Sequence, residues 1–437
     1  MTPARSGGDT ADLVLTGGGG AARCVLLALA GADLAGRLPR PLRVVVVDPV
    51  PAGDHPARHR TWCSWGVADP LLSPVVHASW RHVRVRDGAR DLVLDLDPLR
   101  YRLVRSDDLE EHVAEQVARA PGLLVDHVAT TATSVADDGP GRARVDLADG
   151  DHIRASLVLD SRPARPVRPG SVFWWQHFRG WTLPAGAVAD RPAGADGAVD
   201  LMDFRTPQPA RGLSFGYVLP LPDGRSLAEY TEFSPERLDD AGYDRALRDY
   251  LGLLGVDPAV VPDHVETGAI PMTDARFARR AGDRVLRIGT AGGATRGSTG
   301  YTFAAMLRDA RAVAGLVGAG GLGRPGRLHL PAPYPRRHRW IDAVQLRALD
   351  AGLVAGPRFF VDLFERRPAG QVLRFLDGLT SPAEEVAVMS GAPTLPMTRA
   401  AAQDARARVA RTVRRRRPPS PPPVPAPPVP APPVLRS

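Results

Sequence analysis

Two acids of this chain sit inside apolar stretches rather than among other charges. Glu229 lies between Ser226 and Ser234, where alternation puts Leu227, Glu229 and Thr231 on one face of a strand. Asp203 follows Leu201 and Met202 in a second apolar run. A carboxyl beside Leu227, under the apolar strand Gly216 to Pro220, would have a raised pKa and could donate a proton. The bland alternative for either residue is an edge-strand acid in solvent.

Glycine supplies the second kind of chemistry. Gly17, Gly18, Gly19 and Gly20 lead into Ala21 and Ala22 after the short strand Leu13 to Thr16, a G-x-G-x-x-A pattern. Such a turn lets a pyrophosphate approach the backbone and the unpaired N–H groups of the following helix. Asp48 closes the next strand, where a carboxylate accepts from a ribose. A second loop, Gly289 to Tyr301, again runs from strand to helix and contains Gly292, Gly293, Thr299 and Gly300. Two such loops point to one long cofactor held at both ends. That favours FAD over a nicotinamide nucleotide alone.

Several chemistries are excluded or disfavoured. There is no lysine among the 437 residues, so a Walker-type phosphate loop and a Schiff base are impossible. No asparagine is present either. Gly212 to Gly216 spells G-x-S-x-G, but a strand ending in Pro220 follows, which removes the nucleophile elbow. His55, His59 and Cys63 have helical spacing, yet Pro56 and loop composition argue against a metal site. Nine arginines and one acid from Arg399 onward account for the whole net charge of +8. The body is therefore neutral, and nucleic acid is not indicated. No secretory signal or membrane-spanning run is read, so a cytoplasmic chain is expected, peripheral at a membrane at most.

These residues need elements to hold them. The pattern predicts a βαβ unit through Asp48, then a strand from Tyr101 to Arg105 and a helix capped by Ser106. A hairpin turns at Asp149 and Gly150, and its second strand ends on Asp160. From about Val172 to Phe233, aromatic and β-branched runs separated by Pro and Gly predict an antiparallel sheet inserted into an α/β layer. Five tryptophans, Trp62, Trp65, Trp174, Trp175 and Trp181, could line an apolar tunnel or simply pack a core. The expected division is a disordered stretch at 1–11, FAD-binding segments at 12–168 and 266–320, and a substrate sheet at 169–265. A helical covering region at 321–397 and a disordered basic, Pro-rich tail at 398–437 complete it.

From Asp12 to Pro396 the chain resembles the flavoprotein lycopene cyclases of the bacterial CrtY type. The resemblance rests on Thr61-Trp-Cys63, Tyr101 to Ser106, Leu157 to Arg162, Gln176-x-Phe178-x-Gly180 and Met202 to Gln208. It continues through Phe215 to Pro220, Glu229-x-Thr231, Glu266-x-Gly268-x-x-Pro271 and Ser298-Thr-Gly-Tyr301, all in family order. It implies an α/β fold with a Rossmann-like FAD domain of the GR2 type, an inserted antiparallel sheet and C-terminal helices. It also implies that FAD acts in its reduced form, kept so by NAD(P)H, while the ψ-ends of lycopene and related carotenoids close to β-ionone rings. Glu229 would protonate the terminal double bond; Asp203 remains the second catalytic candidate on the strength of its own apolar strand. The cofactor residues implied are Gly17, Gly18, Gly19, Ala22, Asp48, Arg105, Asp160, Gly289, Gly292, Gly293, Thr299, Gly300 and Tyr301. No metal is implied.

The chain departs from the family pattern in three places. Tyr230 stands where many relatives carry a second acid, Pro163 replaces a glycine, and Gly297 replaces a proline, which should loosen the second loop. The same fold also hosts flavin monooxygenases and isoprenoid reductases, which consume nicotinamide stoichiometrically. A carotenoid-binding relative without catalysis would be indifferent to Glu229→Gln.

Overall fold

The computed structural model describes residues 9–50, 60–66, 68–164, 172–188 and 197–416, with side chains described as far as residue 409. The Pro-rich segment from Pro418, and His55 and His59, lie outside the described residues.

The strands Asp9–Thr16, Leu42–Asp48 and Leu123–Ala129 pair in parallel, with His152–Asp160 beside the first. The hairpin strands Ala132–Asp137 and Ala143–Leu147 extend the sheet, and short Val285–Arg287 pairs with the end of His152–Asp160. Consecutive valines fill the second strand because both of its faces are covered. Helix Gly20–Leu34 packs on this sheet together with Ser106–Arg119 and Phe303–Gly318. Its alanines permit close approach to both neighbouring helices. Thus the carboxyl ends of the parallel strands and both glycine loops meet at one edge.

The second sheet is mostly antiparallel. Its spatial order is His264–Thr273, Phe173–Leu183, Ser226–Ser234, Leu213–Pro220, Ala198–Asp203, His82–Arg86 and Asp91–Asp95. Helix Asp240–Leu253 covers one face, where Gly216 admits the ring of Tyr250. On the other face Phe204 and Phe215 pack against Phe359, Phe360 and Phe364 of the C-terminal helix Gly356–Arg366. A small third sheet, of Thr61–Gly66, Val76–Trp80 and Arg100–Arg105, bridges the layers.

The structure moves several expected boundaries. The first strand begins at Asp9, inside the stretch read as disordered. The antiparallel sheet recruits two strands from the first segment and runs on to Thr273. Helix Thr394–Arg416 takes in the start of the tail, with Pro396 tolerated in its first turn and Ala400 and Asp404 buried. Ser106 does not cap its helix: its hydroxyl accepts the Arg60 N–H at 3.0 Å instead. Gly297 sits in a hydrogen-bonded loop. Asp342 there takes Arg296 at 2.6 Å and Ser298 at 2.8 Å, and a Cβ at Gly297 would collide with the Thr273 carbonyl. No helix among the described residues is long and apolar enough to cross a membrane.

Candidate active site

Gly17 turns the chain at φ +99°, and a Cβ there would strike the Ser161 hydroxyl. Gly18 donates its N–H to Asp48 at 2.6 Å, and Asp48 accepts a second one from Val50 at 2.9 Å. A carboxylate retains further lone pairs for ribose hydroxyls. Gly19 caps helix Gly20–Leu34 and has open space beside it. Gly18, Ala22 and Asp48 border a cavity of about 290 Å³ under helix Ser106–Arg119. This side fits the adenosine end of a dinucleotide, with diphosphate on the helix N-terminus.

A larger cavity, about 720 Å³, begins at Gly20 and runs beneath the antiparallel sheet. Thr290, Ala291, Gly300 and Tyr301 of the second loop line it, so both loops open into connected space. Gly289, Gly292 and Gly293 shape that loop without lining the cavity. Gly289 and Gly293 have φ of +60° and +80°, and Gly292 lies against the Arg287 carbonyl. Gly300, at φ +72°, is pressed on Gln176, a residue of the cavity wall whose buried Oε1 has no hydrogen-bond partner among the described residues. A cradle that excludes Cβ atoms, with an orphaned acceptor in its wall, fits the donor-bearing ring end of FAD. Thr299 lies behind the wall, its hydroxyl donating to the Leu376 carbonyl at 3.3 Å.

The rest of the wall is aromatic. Trp62, Trp65, Tyr101, Trp175, Phe178 and Tyr217 line it, whereas Trp174 and Trp181 are core residues. Tryptophan therefore serves both roles in this chain. Trp65 is held edge-on to Tyr301 at 4.6 Å and stacked on Tyr101 at 5.9 Å.

Glu229 points into this cavity from the strand Ser226–Ser234. It is partly exposed and shares that lining with Leu227, Tyr217 and Phe178. Loss of water raises its pKa to about 8, helped by the negative charge of Glu266 and opposed by the 2.5 Å hydrogen bond from Thr231. Glu266 is also buried, and desolvation lifts its pKa to about 6 against two hydrogen bonds from Thr61. Asp377, from the turn after helix Ala369–Leu376, lines the same cavity, and burial likewise pushes it up to about 6. Neither Glu266 nor Asp377 was assigned from sequence. Glu266 alternates with Gly268 and Ile270 on one strand face, a signal open to reading, but Asp377 sits in a turn without any periodicity.

Three assigned residues do not join the site. Asp203 faces away from the cavity, opposite Gly216, and is fully buried between Arg86 at 2.9 Å and Arg205 at 2.9 and 2.8 Å. Burial opposes its charge, but those guanidinium groups outweigh it and hold the pKa below the ordinary value. It cannot be the second acid. Arg105 is clamped by Asp108 at 2.8 and 2.6 Å and borders a separate polar cavity of about 280 Å³, not the cofactor side. Asp160 is spent on Thr16 at 2.7 Å and Arg162 at 2.9 Å, tying the first strand to its neighbour. Its pKa is lowered because Arg162 and Thr16 overcome its burial.

Comparison with known proteins places this geometry. Residues 12–402 match the family model described as lycopene cyclase protein. The chain is 30% identical over 414 residues to lycopene beta-cyclase of Paracoccus sp. (strain N81106 / MBIC 01143), covering 89% of this chain and 95% of that protein. Among solved structures, a geranylgeranyl bacteriochlorophyll reductase-like protein from Thermoplasma acidophilum aligns at TM-score 0.59 and 11% identity, over 90% of this chain and 99% of its own. A flavoprotein/dehydrogenase from Cytophaga hutchinsonii aligns at 0.56 and 11%, over 85% and 93%. These likenesses show the fold, that of FAD-binding flavoproteins.

Proposed function

Since the chain belongs to the lycopene cyclase family, a family of carotenoid cyclases, we propose that it is a lycopene β-cyclase whose proton donor is Glu229. The observation that carries this reading is a carboxyl with a raised pKa, without a cationic partner among the described residues, in an aromatic cavity that both glycine loops reach. Protonating an alkene requires an acid that competing water cannot level. Glu229 meets that requirement: burial, and then the charge of Glu266, raise its pKa to about 8, and no cation pairs with it among the described residues.

The protein's part in the reaction follows from the wall. Trp65, Tyr101 and Tyr217 exclude water and offer π-faces to a developing cation. Thr231 fixes the rotamer of Glu229 so that the acid proton is presented to the cavity. The ψ-end protonated there closes by attack of its neighbouring double bond, and loss of a ring proton gives the β-ionone end without net redox change. Gly17, Gly18, Ala22, Asp48, Gly300 and Tyr301 would hold FAD, which in its reduced form would supply negative charge to stabilise a cation. NAD(P)H would serve as its reductant and be needed only catalytically.

Substrate of this kind resides in lipid. Helix Thr394–Arg416 exposes Leu395 and Val409 beside Arg399, Arg406 and Arg408, a composition suited to an anionic membrane surface. A peripheral, cytoplasmic enzyme follows from this reading, and truncation at Pro396 should abolish liposome binding. The cyclase reading is tested in a lycopene-accumulating bacterium, wild type beside Glu229→Gln, with pigments separated by chromatography. γ- or β-Carotene from the wild type alone supports it. Unchanged lycopene from soluble, flavin-loaded wild type overturns it in favour of a redox enzyme on another isoprenoid.

A further inference from the structure

Gly180 occupies the middle of a short row across three strands. It pairs with Glu229 on one side and with Glu266 on the other. Paired residues share a sheet face, so both carboxylates project to the same side, and the residue between them carries no side chain, with Leu227 Cδ1 lying beside it. Their Cα atoms are about two strand spacings apart, roughly 10 Å. The Glu266 side chain closes much of that gap. It leans over Gly180, where a Cβ would lie 3.1 Å from Cγ and 3.3 Å from Oε1.

Glu266 is anchored differently from Glu229. Thr61 gives it a backbone N–H at 3.0 Å and a hydroxyl at 2.7 Å, and both stabilise the ionised form. Arg60 adds positive charge. Arg60, Thr61 and Leu227 line both the main cavity and the polar cavity behind them, which also holds His77, Arg225 and His264. Among the described residues Glu229 has one hydroxyl donor and no cation. Of the other titratable groups on this cavity, Cys63, Tyr101, Tyr217 and Tyr301 stay neutral because burial raises them all, and Asp377 is lifted to about 6 by burial.

We propose that Glu229 and Glu266 hold one proton between them across Gly180, with Glu266 the ionised, positioning partner that keeps the proton on Glu229 and draws it back after each ring closes. This rests on the cyclase reading. The step balances within the pair and the substrate. Glu229 gives its proton to the alkene, a C–H bond forms, and two carboxylates are left charged in a dry site. That repulsion makes the pair a strong acceptor. The ring C–H then breaks, its electrons become the new double bond, and the proton returns to Glu229.

The test uses reduced holoenzyme with lycopene in liposomes, assayed from acid to alkaline pH, with an infrared titration of the carboxylic-acid carbonyl band. In Glu266→Gln the alkaline limb should move roughly one pH unit towards acid. Activity at slightly alkaline pH should fall about tenfold with KM unchanged, and the band that Glu229→Gln removes should titrate earlier. An alkaline limb and band that stay in place while activity drops equally at every pH would overturn the pairing. Thr61→Val, which takes the hydroxyl from Glu266 and draws the proton towards it, should shift the limb the same way if Glu266→Gln does not fold. If wild type forms no ring at any pH, the cyclase reading fails. The infrared titration of wild type and variant still decides the pairing.

Discussion

The two faces of one antiparallel sheet treat a carboxylate in opposite ways. Asp203 lies in line with Gly216 and Tyr230, facing helix Asp240–Leu253, while Glu229 lies in line with Tyr217 and faces the cavity. One residue of register separates the two fates. Both acids lose water, yet the pKa of Asp203 falls and that of Glu229 climbs to about 8. The difference is the partner. Arg86 and Arg205 neutralise Asp203, whereas Glu229 meets aromatic rings, one threonine and another acid. Burial alone does not make a proton donor; burial without a cation does.

The sharpest way to break that contrast is Glu229→Gln, which keeps shape but removes the proton. Ring formation should fall on the order of a thousandfold in a purified assay, with the flavin spectrum unchanged. Asp203→Asn should act on stability instead, by on the order of 3 kcal/mol in denaturant unfolding, since Arg86 loses a buried partner. The pH profile of any surviving activity should not move. Stability against pH sharpens the comparison further. The raised pKa of Glu229 means its favourable contribution is complete below the ordinary value of 4.5 and lost as pH rises through about 8. Glu229→Gln should therefore gain stability relative to wild type over that window. Asp203 contributes above its ordinary 3.8, and its share disappears only as pH falls through the lower folded value.

Smaller effects test the setting of the site. Gly300→Ala places a Cβ at φ +72° against Gln176 and should weaken the loop by about 1–2 kcal/mol, read as reduced FAD occupancy on purification. Thr231→Val removes the hydrogen bond that favours the charged form of Glu229. Its alkaline limb should extend upward while the rate drops only a few-fold, from looser positioning.

Local chemistry made much of this legible from sequence. The βαβ unit, both glycine loops and the antiparallel insertion follow from periodicity and from turns that only glycine makes easily, as at Gly17 and Gly300. Alternation around Glu229 correctly put it on the face of Leu227 and Thr231. What alternation lacks is knowledge of the facing layer. Asp203 and Glu229 look alike until Arg86, 117 residues away, is placed beside one of them. The same holds for Arg105 and Asp160, whose charges are absorbed by Asp108 and Arg162. Glu266 joins the site through a strand pairing over 80 residues in sequence, and Asp377 through packing of the C-terminal helices.

The central claim is that a proton from Glu229 starts the reaction, and deuterium labelling tests it most directly. Reduced holoenzyme would convert lycopene in D₂O, wild type beside Glu229→Gln, and the ring-bearing product would be weighed by mass spectrometry. The account predicts one non-exchanging deuterium in the first ring formed by each wild-type molecule pre-equilibrated in D₂O, read in a single turnover, and no ring product from the variant. Unlabelled rings in that first turnover, or labelled rings from Glu229→Gln at the wild-type rate, would contradict it.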